Sequence, residues 1–257
     1  MTMIFLKCLD KIRFLNIRVW DFSINSLVRN YGIKFISRVI IKHPVKTITG
    51  IRKYQKFNKT KGLCDKIMIN PKHSEKCIDK NKSITGAGFC LKPLKPECIS
   101  GRANHDCKFL EHNLHLQKNT EPWCCRGCMI KKIGLMALYC KSSFYIMTSA
   151  KDILYDIIQP ACETGKYLKG LFCMCKYSFE PFKIALLISG IEACLYSFET
   201  GDCKDYKTWL RADTGIKDEQ TTLSNTFISS IENILSLTSS NRNIKFKKVG
   251  NIFYPYD

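Results

Sequence analysis

Cysteines are the residues of this chain whose number and spacing point most directly to chemistry. The 257 residues include 15 cysteines, and three of them fall within five positions in the segment PWCCRGC at 122–128. The two-residue spacer of Cys125-x-x-Cys128 lets the backbone fold back, so that both thiols reach one metal ion. Cys124 places a third thiol directly beside them. This segment predicts metal or redox chemistry without indicating the reaction.

The region at 83–128 has an irregular pattern, because glycine and proline interrupt it repeatedly. It lacks a strong apolar periodicity, and metal ligation supplies the folding free energy that a core would otherwise give. Four thiolates suit an iron–sulfur cluster or a zinc ion, and spacing alone does not separate the two. We expect an iron–sulfur cluster first, with zinc as the alternative. The candidate metal ligands are Cys90, Cys98, Cys125 and Cys128 in the first rank, with Cys124 and Cys162 in the second.

A mixed zinc site is a competing arrangement in the same region. It would use Cys107, His112, His115 and Cys124, although His112-x-x-His115 is tighter than the usual zinc-finger pair. The sequence has no GxGxxG fingerprint, no GK[ST] phosphate loop and no GxSxG elbow. No catalytic acid, base or nucleophile stands out among the residues, so an enzymatic activity stays open.

The elements that follow this region alternate between helix and strand. Apolar patterns predict helices at 129–140, 163–176 and 227–235 and buried strands at 144–147 and 184–189. Ser149-x-x-Asp152 resembles a capping box that opens another helix, which Pro160 ends. The tail at 244–249 alternates as an edge strand does. Strand, helical crossover and strand predict a parallel pair, and therefore a three-layer α/β domain with a small parallel sheet at 83–257.

Functional groups of such sheets gather beyond the carboxyl ends of the strands. This rule points to Thr148 and Ser149 after the first predicted strand. It points to Glu192 and Cys194 after the second. We therefore expect functional side chains in these two loops.

The net charge of +19 is concentrated near the N-terminus. Residues 1–60 hold 13 of the 41 Lys and Arg but only 2 of the 22 Asp and Glu. Apolar spacing predicts amphipathic helices at 24–31, 33–41 and 45–54, which would form a basic helical extension at 1–60, joined to the main domain by a polar segment at 58–82. Three interpretations stay open: a layer packed on the main domain, a surface for an anionic membrane, and a nucleic-acid contact, for which no reading motif is present.

The compartment follows from the N-terminal sequence and the cysteine usage. The apolar run at 1–6 is too short for a signal peptide, and Lys7 and Asp10 interrupt it early. No stretch has the roughly 18 apolar residues of a membrane span. We therefore expect a cytoplasmic protein, in which clustered thiols bind metal or do redox work more often than they form disulfides.

Three short motifs also carry a family resemblance. They are the CxxCxI run at 125–130 with the helix and strand after it, the GFCLK segment at 88–92 with Cys98 eight residues after Cys90, and the ACE segment at 161–163. Together they resemble a cysteine-rich family catalogued as domain of unknown function 116, over about residues 88–200. The resemblance implies an intracellular α/β protein whose clustered cysteines bind a metal or iron–sulfur centre.

These observations predict an intracellular, cysteine-rich, metal-binding protein that acts in electron transfer or supports a redox enzyme, which would be its protein partner. Two alternatives use the basic N-terminal helices. One is a zinc-stabilised nucleic-acid-binding protein, and the other is a peripheral protein on the cytoplasmic face of a membrane.

Overall fold

The protein is described by a computed structural model over residues 31–60, 67–69, 82–117, 121–238 and 243–256. Its centre is a seven-stranded sheet with the across-sheet order β1-β5-β4-β2-β3-β7-β6, in which the first five strands are parallel and the last two antiparallel. The predicted α/β class is therefore confirmed. In chain order the strands are β1 (Ile67–Ile69), β2 (Ser83–Gly88), β3 (Ser143–Met147), β4 (Lys169–Met174), β5 (Glu192–Ser197), β6 (Lys245–Val249) and β7 (Ile252–Tyr256).

Helices cover both faces of this sheet. In chain order they are α1 (Gly32–Phe35, continued by a π-helical turn at Ile36–Ile40), α2 (Pro44–Thr60), α3 (Lys108–Glu111), α4 (Met129–Tyr139), α5 (Ala150–Ile153, a π-helical turn at Leu154–Ile158, then Gln159–Thr164), α6 (Phe179–Ser189), α7 (Tyr206–Asp213) and α8 (Asn225–Leu237). Among these described helices, none is long and apolar enough to cross a membrane.

The direction of each crossover decides which face its helix covers. From β2 the chain passes through α4 to β3 on one side of β2, and then returns through α5 to β4 on the other side. Because parallel crossovers are right-handed, connections that run in opposite directions must use opposite faces. Side chains of β3 alternate accordingly, with Phe144 and Ile146 in the core under α4 and Tyr145 and Met147 in the core under α5.

The two cores divide the helices between the faces. The first core contains buried residues of α3, α4, α7 and α8, such as Leu110, Ile133, Trp209 and Ile231. The second contains those of α1, α2, α5 and α6, including the fully buried Val39 and Tyr54. Helices α1 and α2 thus pack into the same core as α6. The helix predicted at 24–31 lies outside the described residues.

Two elements of the sequence prediction are wrong. Residues 184–189, expected as a strand, form the second half of α6, and the strand comes later as β5. Residues 163–176, expected as a helix, contain the end of α5 and then β4. Gly165 ends α5 in the left-handed conformation (φ 62°), which only glycine adopts without strain, and the chain then extends. The short strand β1 falls in the segment expected to be a connection.

Pro160 does not end its helix, contrary to expectation. The π-helical turn Leu154–Ile158 precedes Gln159–Thr164, so the proline occupies the first turn of the continued helix. A proline lacks the N–H that an interior helical position would use, and a first-turn position has no need of it. The N-cap half of the capping box predicted at the start of α5 is confirmed, because Ser149 Oγ accepts a hydrogen bond from Asp152 N at 3.2 Å; the Asp152 carboxylate accepts from Ser149 Oγ at 2.8 Å.

Candidate functional site: a thiol cavity at the sheet edge

A cavity of about 90 Å³ opens at the carboxyl edge of the parallel strands. Its walls come from the segments after β2, β3, β4 and β5, with Tyr31 just before α1 and Trp209 on α7. Since β3 and β4 follow each other in the chain but lie on opposite sides of β2, this is the topological switch point at which ligands bind in open α/β sheets. Most of the lining is apolar, and three thiols interrupt it: Cys90, Cys175 and Cys203.

A hydrogen-bond chain runs through this cavity toward one sulfur. Trp209 Nε1–H donates to Ser178 Oγ at 2.9 Å, and Ser178 Oγ lies 2.9 Å from Cys175 Sγ. The indole is a donor only, which leaves the Ser178 hydroxyl proton for Cys175. The thiols of Cys175 and Cys203 form a pair, and a hydrogen bond between them raises the pKa of Cys175 and lowers that of Cys203. The hydrogen bonds of Trp209 and Ser178 therefore hold Cys175 in place beside Cys203.

Cys203 is the thiol that this arrangement activates. The hydrogen bond from Cys175 has the largest effect, burial opposes it, and the Lys217 ammonium, whose Nζ donates to Cys203 Sγ at 3.7 Å, adds to it. Together they lower the pKa of Cys203 to about 7. The hydrogen bond and burial raise the pKa of Cys175, so that it stays a thiol. A thiolate, not a thiol, is the nucleophile in cysteine chemistry.

The two loops that carry these thiols are fixed to each other. Asp202, beside Cys203, accepts hydrogen bonds from the backbone N–H of Lys176 at 3.1 and 3.3 Å and from that of Cys203 at 3.1 Å. Arg102 Nη1 donates to the carbonyl oxygen of Lys217 at 2.8 Å and thereby holds the segment that supplies the ammonium. The dithiol pair is thus positioned by contacts from four separate loops.

A second group of thiols lies in the loop between β2 and α4. Cys98 and Cys128 raise the pKa of Cys107, Cys107 and Cys128 raise that of Cys125, and Cys124 Sγ lies 4.0 Å from Cys125 Sγ. Burial is the main cause of these raised pKa values, and it raises the pKa of Cys107 to about 12. In the described part of the chain, no three His, Cys, Asp or Glu side chains stand in an arrangement that would hold a metal ion.

The buried Lys92 organises the loop that carries two of these cysteines. Its ammonium donates to the carbonyl oxygens of Gly101 and Asn104, each at 3.0 Å, and to Asn104 Oδ1 at 2.5 Å. Burial lowers the pKa of Lys92, and the neighbouring Cys98 and Cys107 act against that effect. A lysine head is seldom fully buried unless it is satisfied in this way.

The structure separates the six predicted metal ligands into three places. Cys98, Cys124, Cys125 and Cys128 lie together, and they are joined by Cys107, which the first-rank ligand set did not include. Cys90 lies in the thiol cavity, where burial raises its pKa to about 11. Cys162 lies on α5, in the core on the opposite face of the sheet.

The mixed zinc arrangement also finds a different geometry. The ring of His115 is used in another contact, in which Nε2–H donates to the carbonyl oxygen of Ile244 at 3.0 Å. Burial lowers the pKa of His115. This imidazole therefore serves the contact between the loop and the segment that enters β6.

The loop after β3 holds polar groups, as expected for Thr148 and Ser149. Both hydroxyls donate to Asp152 Oδ2, at 2.7 and 2.8 Å, and His105 Nε2 lies 3.0 Å from Thr148 Oγ1. Partial burial raises the pKa of Asp152, but these hydrogen bonds and His105 outweigh it, so the net shift is downward. The expectation for Glu192 and Cys194 is wrong, because both lie within β5; Cys194 is engaged in a disulfide.

Comparison of the chain with family models, with curated proteins and with solved structures finds no match. The resemblance to domain of unknown function 116 therefore stays a prediction.

Sequence reasoning did not single out Cys175 and Cys203. They are 28 positions apart, and neither belongs to a motif with a ligand-like spacing. The available signal was their position after apolar runs that could have been assigned as strands, because the carboxyl ends of parallel strands meet at one edge. The helix predicted at 163–176 hides this signal, because it places Cys175 within a helix.

Proposed function

We propose that this protein is a redox protein whose reactive centre is the Cys175–Cys203 dithiol in the switch-point cavity. The observation that carries the proposal is a pair of neighbouring thiols held in the cavity: Cys175 is bonded to Ser178, and Cys203 accepts from Lys217 Nζ at 3.7 Å, which together with Cys175 lowers the pKa of Cys203. A thiolate beside a second thiol is the arrangement that exchanges a disulfide with a substrate.

The reaction consistent with this arrangement reduces a small disulfide. The Cys203 thiolate attacks one sulfur of the substrate, which forms a mixed disulfide and releases the other substrate sulfur as a thiolate. Cys175 transfers its proton to that leaving thiolate and attacks the Cys203 sulfur. The Cys175–Cys203 disulfide forms, the second substrate thiolate leaves, and two electrons have passed from protein to substrate.

The cavity supports a small substrate with an apolar body. Phe182, Phe198 and Trp209 line it, and its volume of about 90 Å³ exceeds by several times the 10–15 Å³ that one water molecule needs. Apolar walls with a few placed polar groups are typical of sites for small molecules. A protein partner would restore the dithiol after each turnover.

A redox titration tests this proposal. The full-length protein is equilibrated with glutathione buffers of increasing oxidised fraction, trapped with acid and alkylated, and its peptides are identified by mass spectrometry. In addition to the disulfide that engages Cys194, we expect one between Cys175 and Cys203 to form in a two-electron transition that Cys203→Ser abolishes. The matched control is Cys140→Ser, because Cys140 is partly exposed at the end of α4 and does not line the cavity. Persistence of both thiols at every buffer ratio would refute the proposal.

A second proposal is that Cys98, Cys107, Cys125 and Cys128 bind a metal, with an iron–sulfur cluster as the first expectation and zinc as the alternative. The support is that Cys107 lies within electrostatic range of the other three thiols, which come from two loop segments in a region with little regular structure. Four thiolates form the standard ligand set for either centre. Binding would draw the four sulfurs together and replace their protons. The centre would pass electrons to a protein partner.

Metal and acid-labile sulfide content, measured on protein purified without oxygen, tests this second proposal. Iron with sulfide, or zinc alone, should be present in the native protein and lost in Cys128→Ser. The control is Cys162→Ser, because Cys162 lies on the opposite face of the sheet and its loss should leave the metal content unchanged. Protein that contains neither metal, or equal loss in both variants, would contradict it.

A further inference from the structure

Helices α1 and α2 expose a row of aliphatic side chains. Ile33, Ile36, Ile41, Val45 and Ile48 fall within sixteen consecutive residues, and each is between 43% and 75% exposed. Single exposed hydrophobic residues are ordinary on protein surfaces, but a concentration of them marks a contact surface. The inner sides of the same helices, with Phe35, Val39 and Tyr54, are already buried in the second core.

The charged side chains of these two helices have one sign. Residues 31–60 contain eight Lys and Arg and no Asp or Glu. Lys42 and Arg52 are exposed beside the aliphatic row, whereas Lys34 and Arg38 extend over the Tyr155 ring on α5. The outer surface of these helices therefore combines aliphatic groups with basic side chains.

We propose that the outer face of α1 and α2, defined by Ile33, Ile36, Ile41, Val45 and Ile48 with their flanking basic residues, docks on an anionic lipid surface. Such a surface is the partner that accepts both features at once, because aliphatic side chains enter the acyl boundary while lysine and arginine meet the headgroups. This inference does not depend on the thiol chemistry proposed above.

Charge also decides between a lipid surface and other occupants. A second copy of this face would bring two sets of positive charges together, which is unfavourable. Residues 1–30 of the chain carry five Lys and Arg against two Asp and Glu, so this segment is itself cationic. A nucleic acid would satisfy the charge but would leave the aliphatic side chains in water.

Co-sedimentation of the full-length protein with lipid vesicles tests the proposal. We expect binding to phosphatidylcholine vesicles that contain about 30% phosphatidylserine, and at least tenfold weaker binding to phosphatidylcholine alone, because each basic residue near an anionic leaflet contributes about fivefold. The variant V45E/I48E should lose at least tenfold in affinity for the anionic vesicles. K42E should lose at least fivefold.

The matched control is Leu237→Glu. Leu237 is 71% exposed, as Ile33 is, but it lies at the end of α8 on the other side of the sheet. The Leu237→Glu variant should bind the anionic vesicles as the native protein does. Circular dichroism should show that all variants are folded. Equal binding by V45E/I48E and the native protein would overturn the proposal. So would a native dimer that V45E/I48E converts to a monomer, because the face would then join two copies of the chain.

Discussion

Removing Cys175 should change the reactivity of Cys203 in a way that depends on pH. The hydrogen bond from Cys175 is the largest contribution to the lowered pKa of Cys203. In Cys175→Ala that donor is lost, and the pKa of Cys203 should rise from about 7 toward its ordinary value of 9.0. In Cys175→Ser a hydroxyl still donates, so the pKa should stay low. The two variants therefore form a matched pair that differs in one donor.

The size of the effect follows from the thiolate fraction and its nucleophilicity. At pH 7 about half of Cys203 is thiolate when its pKa is about 7, and about one part in a hundred when it is 9.0, a fiftyfold loss. A thiolate of higher pKa is intrinsically more reactive, with a Brønsted coefficient of about 0.4–0.5, which returns roughly six- to tenfold. The net expectation is alkylation about five- to eightfold slower at pH 7 and about six- to tenfold faster above pH 10.

The assay is alkylation by iodoacetamide between pH 5 and 10.5, with the Cys203-containing peptide quantified by mass spectrometry. The rate–pH curves of the native protein and Cys175→Ala should cross, whereas that of Cys175→Ser should follow the native curve. Far-ultraviolet circular dichroism at each pH confirms that the fold is retained. Superimposed curves for the native protein and Cys175→Ala would refute the reasoning, as would equal shifts in both variants.

Two further predictions concern the packing that holds the site. Gly50→Ala should destabilise the fold by about 1–2 kcal/mol in urea unfolding. The added methyl group would lie 2.7 Å from Ile188 Cα on α6, and this clash outweighs the gain from the helix propensity of alanine. The control is Thr49→Ala at the exposed neighbouring position, which should have almost no effect. Lys92→Met should lower the free energy of unfolding by about 2–4 kcal/mol, because three acceptors of the buried ammonium lose their donor. The control is Lys95→Met at an exposed position, which should stay within about 0.5 kcal/mol of the native protein. Equal stabilities within either pair would contradict the packing argument.

The sequence predicted those elements whose start signals or periodicity are local. Ser149 caps α5 through its own side chain, and the helix after Cys128 and the strand at Phe144–Met147 appear where the apolar pattern placed them. The segment Ile184–Ser189 was assigned wrongly because α6 is buried against both the sheet and α2. A short apolar run without periodicity is typical of both a buried helix and a central strand, so periodicity does not distinguish these two structures.

The candidate site was less predictable than the fold, for a different reason. A CxxC spacing is a local pattern, so the sequence alone identifies Cys125 and Cys128 as candidate ligands. The lowered pKa of Cys203 comes instead from Cys175, at the end of β4, and from Lys217, beyond α7. Only the strand order brings these groups together. Because the sequence predicts a helix where β4 lies, it does not predict that they are neighbours.

The two edge strands of the sheet affect how readily copies of this protein associate through their sheets. An unpaired edge strand offers a row of backbone donors and acceptors on which another chain can build. Within the described residues, one edge is β1 (Ile67–Ile69), and the other is β6, in which Lys245 and Lys247 are exposed. Short and lysine-bearing edges discourage such growth, so we expect strand addition and fibre formation to be poor even when this cysteine-rich chain is concentrated.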